Sequence, residues 1–385
     1  MLRKIYRKAN SGVIFALAAG LLTTPIAQAQ SPYEDEWSRG FKHYASQLGD
    51  SALAQSILNY ASQHERLLQQ HGYIGRVLPI PAIEQVAPGV FFVKGALMWG
   101  TLENFGLNNN ITAVELESGI FVYNTGSNPA VAYSFHQKLQ RHTSMPIKWL
   151  AIENYQSHAN LGASYWMDVG VRNLYSEQAA ADFWQTRGFD RAVQRVSEYG
   201  PLLIQPVRNV ADRYTRFEDR LIINEGSGDE VHLVNFGGGH TPTMTGAFIP
   251  SKNILFTGDL GFVERLPGLL HGSSYSEWLA SFERMVDYVT THSSDLDNLL
   301  VIPGHGGATN LTELTRQTYD YFKDLEAVVK QAIANGVARQ DLAQHVAMPD
   351  YQDRPMYSQL FLRNALSVFD EITTGQVSDP TLADE

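Results

Sequence analysis

Apolar residues along this chain keep two periods. Over 31–78, pairs such as Ala52-Leu53, Ile57-Leu58, Tyr60-Ala61 and Leu67-Leu68 recur at helical spacing among polar neighbours, which predicts an N-terminal helical extension. From Val86 the period falls to two. Strands are predicted over 89–94, 110–115 and 119–124, followed by a helix over 129–141 and an apolar strand over 147–152. After about Arg208 a second set follows, with strands over 221–224, 230–236, 243–250 and 253–257, an amphipathic helix over 276–291 and a buried strand over 298–303. Residues 79–88 read as a linker, and Gly226-Ser227-Gly228 as a hairpin turn.

Two runs of strands with accompanying helices predict two sheets packed face to face beneath helices, an α/β fold of the αββα sandwich type. Beyond His305 helical spacing returns over 311–335 and 356–372, most simply as a cover on the sandwich, before an acidic tail. At the other end, the basic residues Arg3, Lys4, Arg7 and Lys8 precede an apolar run over 12–22 and then Ala27-Gln28-Ala29. That succession predicts a signal peptide cleaved after Ala29, since the run falls well short of the ~20 residues that span a bilayer. The expected division is 1–29 signal peptide, 30–85 helical extension, 86–310 sandwich, 311–377 C-terminal helical region and 378–385 tail. The product is expected free in the periplasm or outside the cell, without membrane contact.

Composition narrows the chemistry. Hydrophobic residues at 44% and charged residues at 18% suit an ordinary packed core. Lys+Arg 29 against Asp+Glu 40 gives −11, and cleavage would leave 25 cations against 40 anions, or −15. A charge of that sign disfavours nucleic acid and anionic membranes as partners and leaves a small-molecule substrate; oligomeric state has no signal here. Cysteine is absent, so disulfides, thiolate ligands and a Cys nucleophile are excluded.

Three segments bring a metal-type side chain to a glycine-rich turn after a strand: Gly237-Gly238-Gly239-His240-Thr241, Thr257-Gly258-Asp259-Leu260 and Pro303-Gly304-His305-Gly306. Glycine allows the close backbone approach that returns short side chains to one point. A fourth segment, Glu153-Asn154-Tyr155-Gln156-Ser157-His158-Ala159-Asn160-Leu161-Gly162, follows the strand over 147–152. Imidazole and carboxylate together suit Zn²⁺, with Fe or Mn as alternatives.

In this order the motifs resemble the metallo-β-lactamase-fold hydrolase superfamily over about 86–321, with Asn124-Thr125-Gly126 where that family commonly has Asp-Thr-Gly. Gly258-Asp259-Leu260-Gly261-Phe262, Arg265-Leu266-Pro267, Gly272-Ser273 and Trp278-Leu279 also resemble a periplasmic branch of quinoprotein-relay zinc metallohydrolases. The resemblance implies that His240 joins a first metal site, that Asp259 lies between two sites and that His305 belongs to the second. It further implies a leading His-x-His-x-Asp-His motif after 147–152, and here the chain departs. The best register puts Asn154, Gln156, His158 and Ala159 at those positions; the alternative puts Tyr155, Ser157, Ala159 and Asn160 there. Ser164-Tyr165-Trp166 resembles a mononuclear β-lactamase subgroup in which Asn replaces the first His.

Amide oxygens are weak ligands, so the expectation is one ion, Zn²⁺ before Fe or Mn, held by His158, Asp259 and His305 with His240 close by. Asp259 would orient a water whose pKa falls to about 7, and His240 would polarise substrate or carry a proton. Two function classes stay open: a mononuclear hydrolase of an ester, amide or sulfate ester, and a degenerate relative that binds a small molecule or partner without turnover. Serine hydrolysis lacks its Gly-x-Ser-x-Gly elbow. Glu153 reads as a solvated loop carboxylate ahead of a general base, and Tyr155, Trp166 and Trp184 read as core ahead of pocket lining. Intact mass of the exported product should correspond to a chain starting at Gln30; a product starting at Met1 would refute cleavage.

Overall fold

The computed structural model describes residues 36–70, 77–201, 203–204, 207–224 and 228–377. The expected signal peptide, the acidic tail and Gly226-Ser227 of the expected hairpin turn lie outside these residues. Two compact units divide after Pro79. In the first, α1 (Glu36–Gln47) and α2 (Ala52–Gln70) meet through an edge-on contact of Phe41 with Tyr60, centroids 5.1 Å apart, and a Lys42–Glu65 ion pair at 2.6 Å.

The second unit holds both sheets. One has seven strands in chain order, β1 (Glu84–Ala87), β2 (Val90–Val93), β3 (Ile111–Leu116), β4 (Gly119–Tyr123), β5 (Ile147–Ala151), β6 (Asn173–Glu177) and β7 (Thr215–Phe217). Pairing is antiparallel from β1 to β4 and parallel from β4 to β7. Parallel neighbours need crossovers, and helices supply them. These are α3 (Pro129–Leu139) after β4, α4 (Ser157–Asn160) and α5 (Ala163–Asp168) after β5, and α6 (Gln178–Phe183) and α7 (Phe189–Tyr199) after β6. The other sheet runs in the order β12-β11-β10-β9-β8, from β8 (Arg220–Asn224), β9 (Glu230–Gly237), β10 (Met244–Ile249), β11 (Ile254–Phe262) and β12 (Leu300–His305). Only β11 and β12 are parallel among these pairs, and α8 (Tyr275–His292) joins them.

Between the sheets Phe92, Phe121, Tyr123 and Trp149 face Leu233, Ile249, Phe256 and Ile302, all buried. On the second sheet's other side, α9 (Leu311–Leu314) leads through a wide turn at Thr315–Tyr319 into α10 (Asp320–Ala334), which packs with α8 and α11 (Tyr357–Thr374) around Leu260, Trp278, Phe282, Phe322 and Leu360. This is the αββα arrangement the two strand runs predicted. Strand β4, covered on both faces, is fully buried and carries no charged residue.

The sequence reading lacks β6 and β7, and three further details differ. Strand β1 lies inside the expected linker over 79–88, because a four-residue polar edge strand draws its order from β2 and not from its own composition. Strand β11 continues past Thr257 to Phe262, so Asp259 sits within a strand and not after one. Gly258, at φ +53, permits this by kinking β11, and the pairing with β12 shifts register on either side of it. The helix expected over 311–335 is interrupted by the wide turn.

Asn110, at the start of β3, fastens one sheet to the other. Its Oδ1 accepts from the Gly95 N–H at 2.9 Å, its Nδ2 donates to the carbonyls of Pro303 and Gly306, both at 2.8 Å, and its own N–H donates to the Gly304 carbonyl at 2.8 Å. Asn110→Ala removes three buried side-chain hydrogen bonds and strands their partners, and should cost about 2–4 kcal/mol. Urea unfolding should show a lower midpoint at unchanged slope.

Candidate metal centre

Beyond the ends of β5 and β12, elements from both sheets bring five titratable side chains together. Glu153 leaves β5, His158 lies on α4, His240 on the β9–β10 turn, Asp259 within β11, and His305 closes β12. All five are buried, Asp259 at 0% and Glu153 at 1% exposure. Three imidazole nitrogens surround the Asp259 carboxylate: Nε2 of His305 is 3.1 Å from Oδ1, and Nε2 of His158 and His240 are 3.3 and 3.4 Å from Oδ2. Donor atoms around a tetrahedral ion with bonds of 2.0–2.2 Å stand roughly 3.3–3.6 Å apart; each imidazole lies at about that distance from the carboxylate, and Glu153, His158 and Asp259 offer donor atoms within 4.8 Å of one another. Asp259 Oδ2 is buried without a hydrogen bond, and so is His158 Nε2. Orphaned buried donors and acceptors of this kind fit a divalent cation.

Two glycines make the convergence possible by close approach. A Cβ on Gly304 would lie 2.6 Å from Asp259 Oδ1, and one on Gly258 would lie 1.9 Å from Glu153 Oε2. The glycine signals read from the sequence therefore have a steric cause, with each missing side chain replaced by a carboxylate from elsewhere.

Glu153 is the main correction. It was expected as a solvated loop carboxylate, but it turns inward from β5 under the Gly258 kink and is held by neutral donors. Its Oε1 accepts from Asn109 at 3.1 Å and Asn124 at 2.7 Å, and its Oε2 accepts the Asp259 N–H. Asn109 also donates to Asp259 Oδ1 at 2.9 Å, and His158 Nε2 lies 3.2 Å from Glu153 Oε1. Neither Asn109 nor this role of Glu153 was recognised from the sequence; the run Asn108-Asn109-Asn110 before a strand was the available signal.

The charges shift as this packing demands. Burial and the neighbouring Asp259 charge raise the Glu153 carboxyl, whereas three imidazoles outweigh burial and hold Asp259 well below the usual carboxylate range. His158 is pulled down by burial but more strongly raised by Asp259 and Glu153 together. For His305 burial wins and pushes the imidazole down to about 4. His305 also stacks on Phe262, centroids 4.5 Å apart.

The departed leading motif has a definite geometry. Gln156 Nε2 lies 3.1 Å from His240 Nε2. The His240 Nδ1 lies 2.9 Å from the Gly268 carbonyl, which can only accept, so Nδ1 carries the proton and Nε2 presents a lone pair to Gln156 and the site. Tyr155 instead lies against Phe183 at 4.2 Å, and Asn160 is spent on the carbonyls of Asn154 and Gln156. Gln156 and His158 thus face the cluster, as in the first register. Trp166 and Trp184 are core, with Trp166 Nε1 donating to the Thr125 carbonyl. The Gly268 segment is itself clamped from α11, where Asn364 accepts the Leu269 N–H at 2.8 Å and donates to the Pro267 carbonyl at 2.8 Å.

Residues 161–292, which include His240 and Asp259, match the family model described as the metallo-beta-lactamase superfamily. The match runs from just after α4 to the end of α8. Among solved structures, the chain is similar to TMB-1, at 16% identity over 62% of this chain and 97% of that one, with a TM-score of 0.46. A metallo-beta-lactamase from Pontibacter korlensis (14% identity, 60% and 94% covered) and the DIM-1 metallo-beta-lactamase (14%, 62% and 97%) also give 0.46. No curated protein matches the sequence. Within the cluster, Glu153, His158 and Asp259 form a buried group that could hold a metal ion.

In the metal-free protein, imidazole NMR should show His158 charged above pH 6.5 and His305 neutral down to about 4. The His158 contribution to stability is then full below 6.5 and fades as pH rises through its raised value. That of His305 is present above 6.5 and is lost as pH falls toward about 4. A shared midpoint near 6.5 would contradict both.

Proposed function

We propose that this chain is an exported mononuclear metal-dependent hydrolase, with zinc the first candidate ion, acting on an ester, amide or sulfate ester of a small molecule. The carrying observation is the convergence of three imidazole Nε2 atoms on the buried Asp259 carboxylate at 3.1–3.4 Å, with Oδ2 otherwise unpaired. His158, Asp259 and His305 would hold the ion. When bound, it supplies Lewis acidity and a nucleophile drawn from water at neutral pH.

The chain's own groups divide the remaining work. Asp259 stays ionised, so it only accepts hydrogen bonds and orients what donates to it. His240, with its proton fixed on Nδ1, keeps Nε2 free of a proton and able to take one from a reacting group, then return it to the leaving group. Phe262 and Trp278 pack on the His240 ring at 5.7 and 5.4 Å and exclude water from that side. Export is supported by the basic, apolar and Ala-x-Ala succession over 3–29.

A second reading, binding without turnover, is favoured by Gln156, whose amide occupies the His240 lone pair. Metal analysis of protein purified without a metal-affinity tag separates the two. One equivalent of zinc, iron or manganese supports the hydrolase, and Asp259→Ala should then weaken binding by more than the 10–100-fold typical of groups that merely support ligands. No metal even after dialysis against zinc would leave the binding module.

A further inference from the structure

The proposed metal centre, on which this inference rests, uses one carboxylate, and the geometry holds two. Glu153 and Asp259 are both buried, share the Asn109 amide at 3.1 and 2.9 Å, and flank His158 Nε2 at 3.2 and 3.3 Å. One ligand-type atom each from Glu153, His158 and Asp259 lies within 4.8 Å of the other two. The hydrogen bonds to Glu153 from Asn109, Asn124 and the Asp259 N–H come from neutral groups. Arg265, the buried cation nearby, lies over the rings of Phe262 and Trp99 at 5.4 and 5.8 Å and not on a carboxylate. With His158 deprotonated, as ligation requires, ionised Glu153 and Asp259 would bring two negative charges to a dry place, where unpaired charge is strongly unfavourable. One divalent cation cancels both.

We propose that Glu153 is a ligand of the ion beside His158, Asp259 and His305, and that its hard carboxylate tilts the centre toward Mn²⁺ or Fe²⁺ relative to Zn²⁺. Oxygen donors suit harder cations, whereas imidazole alone suits zinc. His240, whose Nε2 faces Gln156, stays outside the shell. The centre thus has two carboxylates and two imidazoles.

The test uses the full chain, freed of metal by chelation and titrated separately with MnCl₂ and, as the softer comparison, ZnCl₂. Glu153→Gln keeps the size and one oxygen but loses the charge. It should weaken Mn²⁺ binding more than about tenfold and Zn²⁺ binding distinctly less, with a cooperative unfolding transition retained. Unchanged affinities in the folded variant, or an equal fall for both ions, would overturn the proposal. Where Glu153→Gln does not fold, X-ray absorption on the unmodified Mn²⁺-loaded protein decides instead. Two imidazoles with oxygen donors support the assignment, and three imidazoles overturn it. If the unmodified chain binds neither ion, the hydrolase reading itself falls, which is distinct from binding that ignores Glu153.

Discussion

Keeping the Asp259 carboxylate ionised and dry is the requirement around which this end of the molecule is built. Removing such a group from water carries a penalty of several kcal/mol that must be offset by close, oriented partners. The imidazoles of His158 and His305 and the Asn109 amide supply them, each from a different part of the chain. That dependence explains the bare backbone at Gly304, the kink at Gly258 and the Asn110 bonds that hold the His305 turn against β3. If any of these is moved, the carboxylate loses a partner it cannot replace with water.

The rest of the cluster is surrounded by amides where a charge-rich centre would carry ionisable groups. Asn124, Asn109 and Gln156 satisfy hydrogen bonds without adding charge, and they hold Glu153 and His240 in single orientations. An amide cannot change protonation state in the working pH range, so these contacts persist whatever the histidines do. The cluster is rigid in its frame and electrically adjustable only at its centre.

Legibility in the sequence followed burial. Strands with aromatic or branched residues on a covered face, such as β4 and β9, stood out by period, whereas β1, β6 and β7 are short and polar and take their order from neighbours. His240, Asp259 and His305 were visible because glycines mark places where backbone and side chain come close. Glu153 was misread because its burial is created by Gly258, a residue far away in sequence, and nothing local distinguishes a buried loop carboxylate from a solvated one. The turn within 311–335 was hidden for a related reason, since its helical spacing continues through the interruption.

The clamp from Asn364 to the segment carrying Gly268 gives the C-terminal helix a part in the chemistry. The Gly268 carbonyl sets which His240 nitrogen bears the proton, and Asn364 holds the residues on either side of that carbonyl. A histidine tautomer in the cluster is therefore specified by a residue on α11, beyond both sheets. The smallest piece of this chain with a correctly poised site must include that helix, and so reaches well past the stretch that carries the family signature.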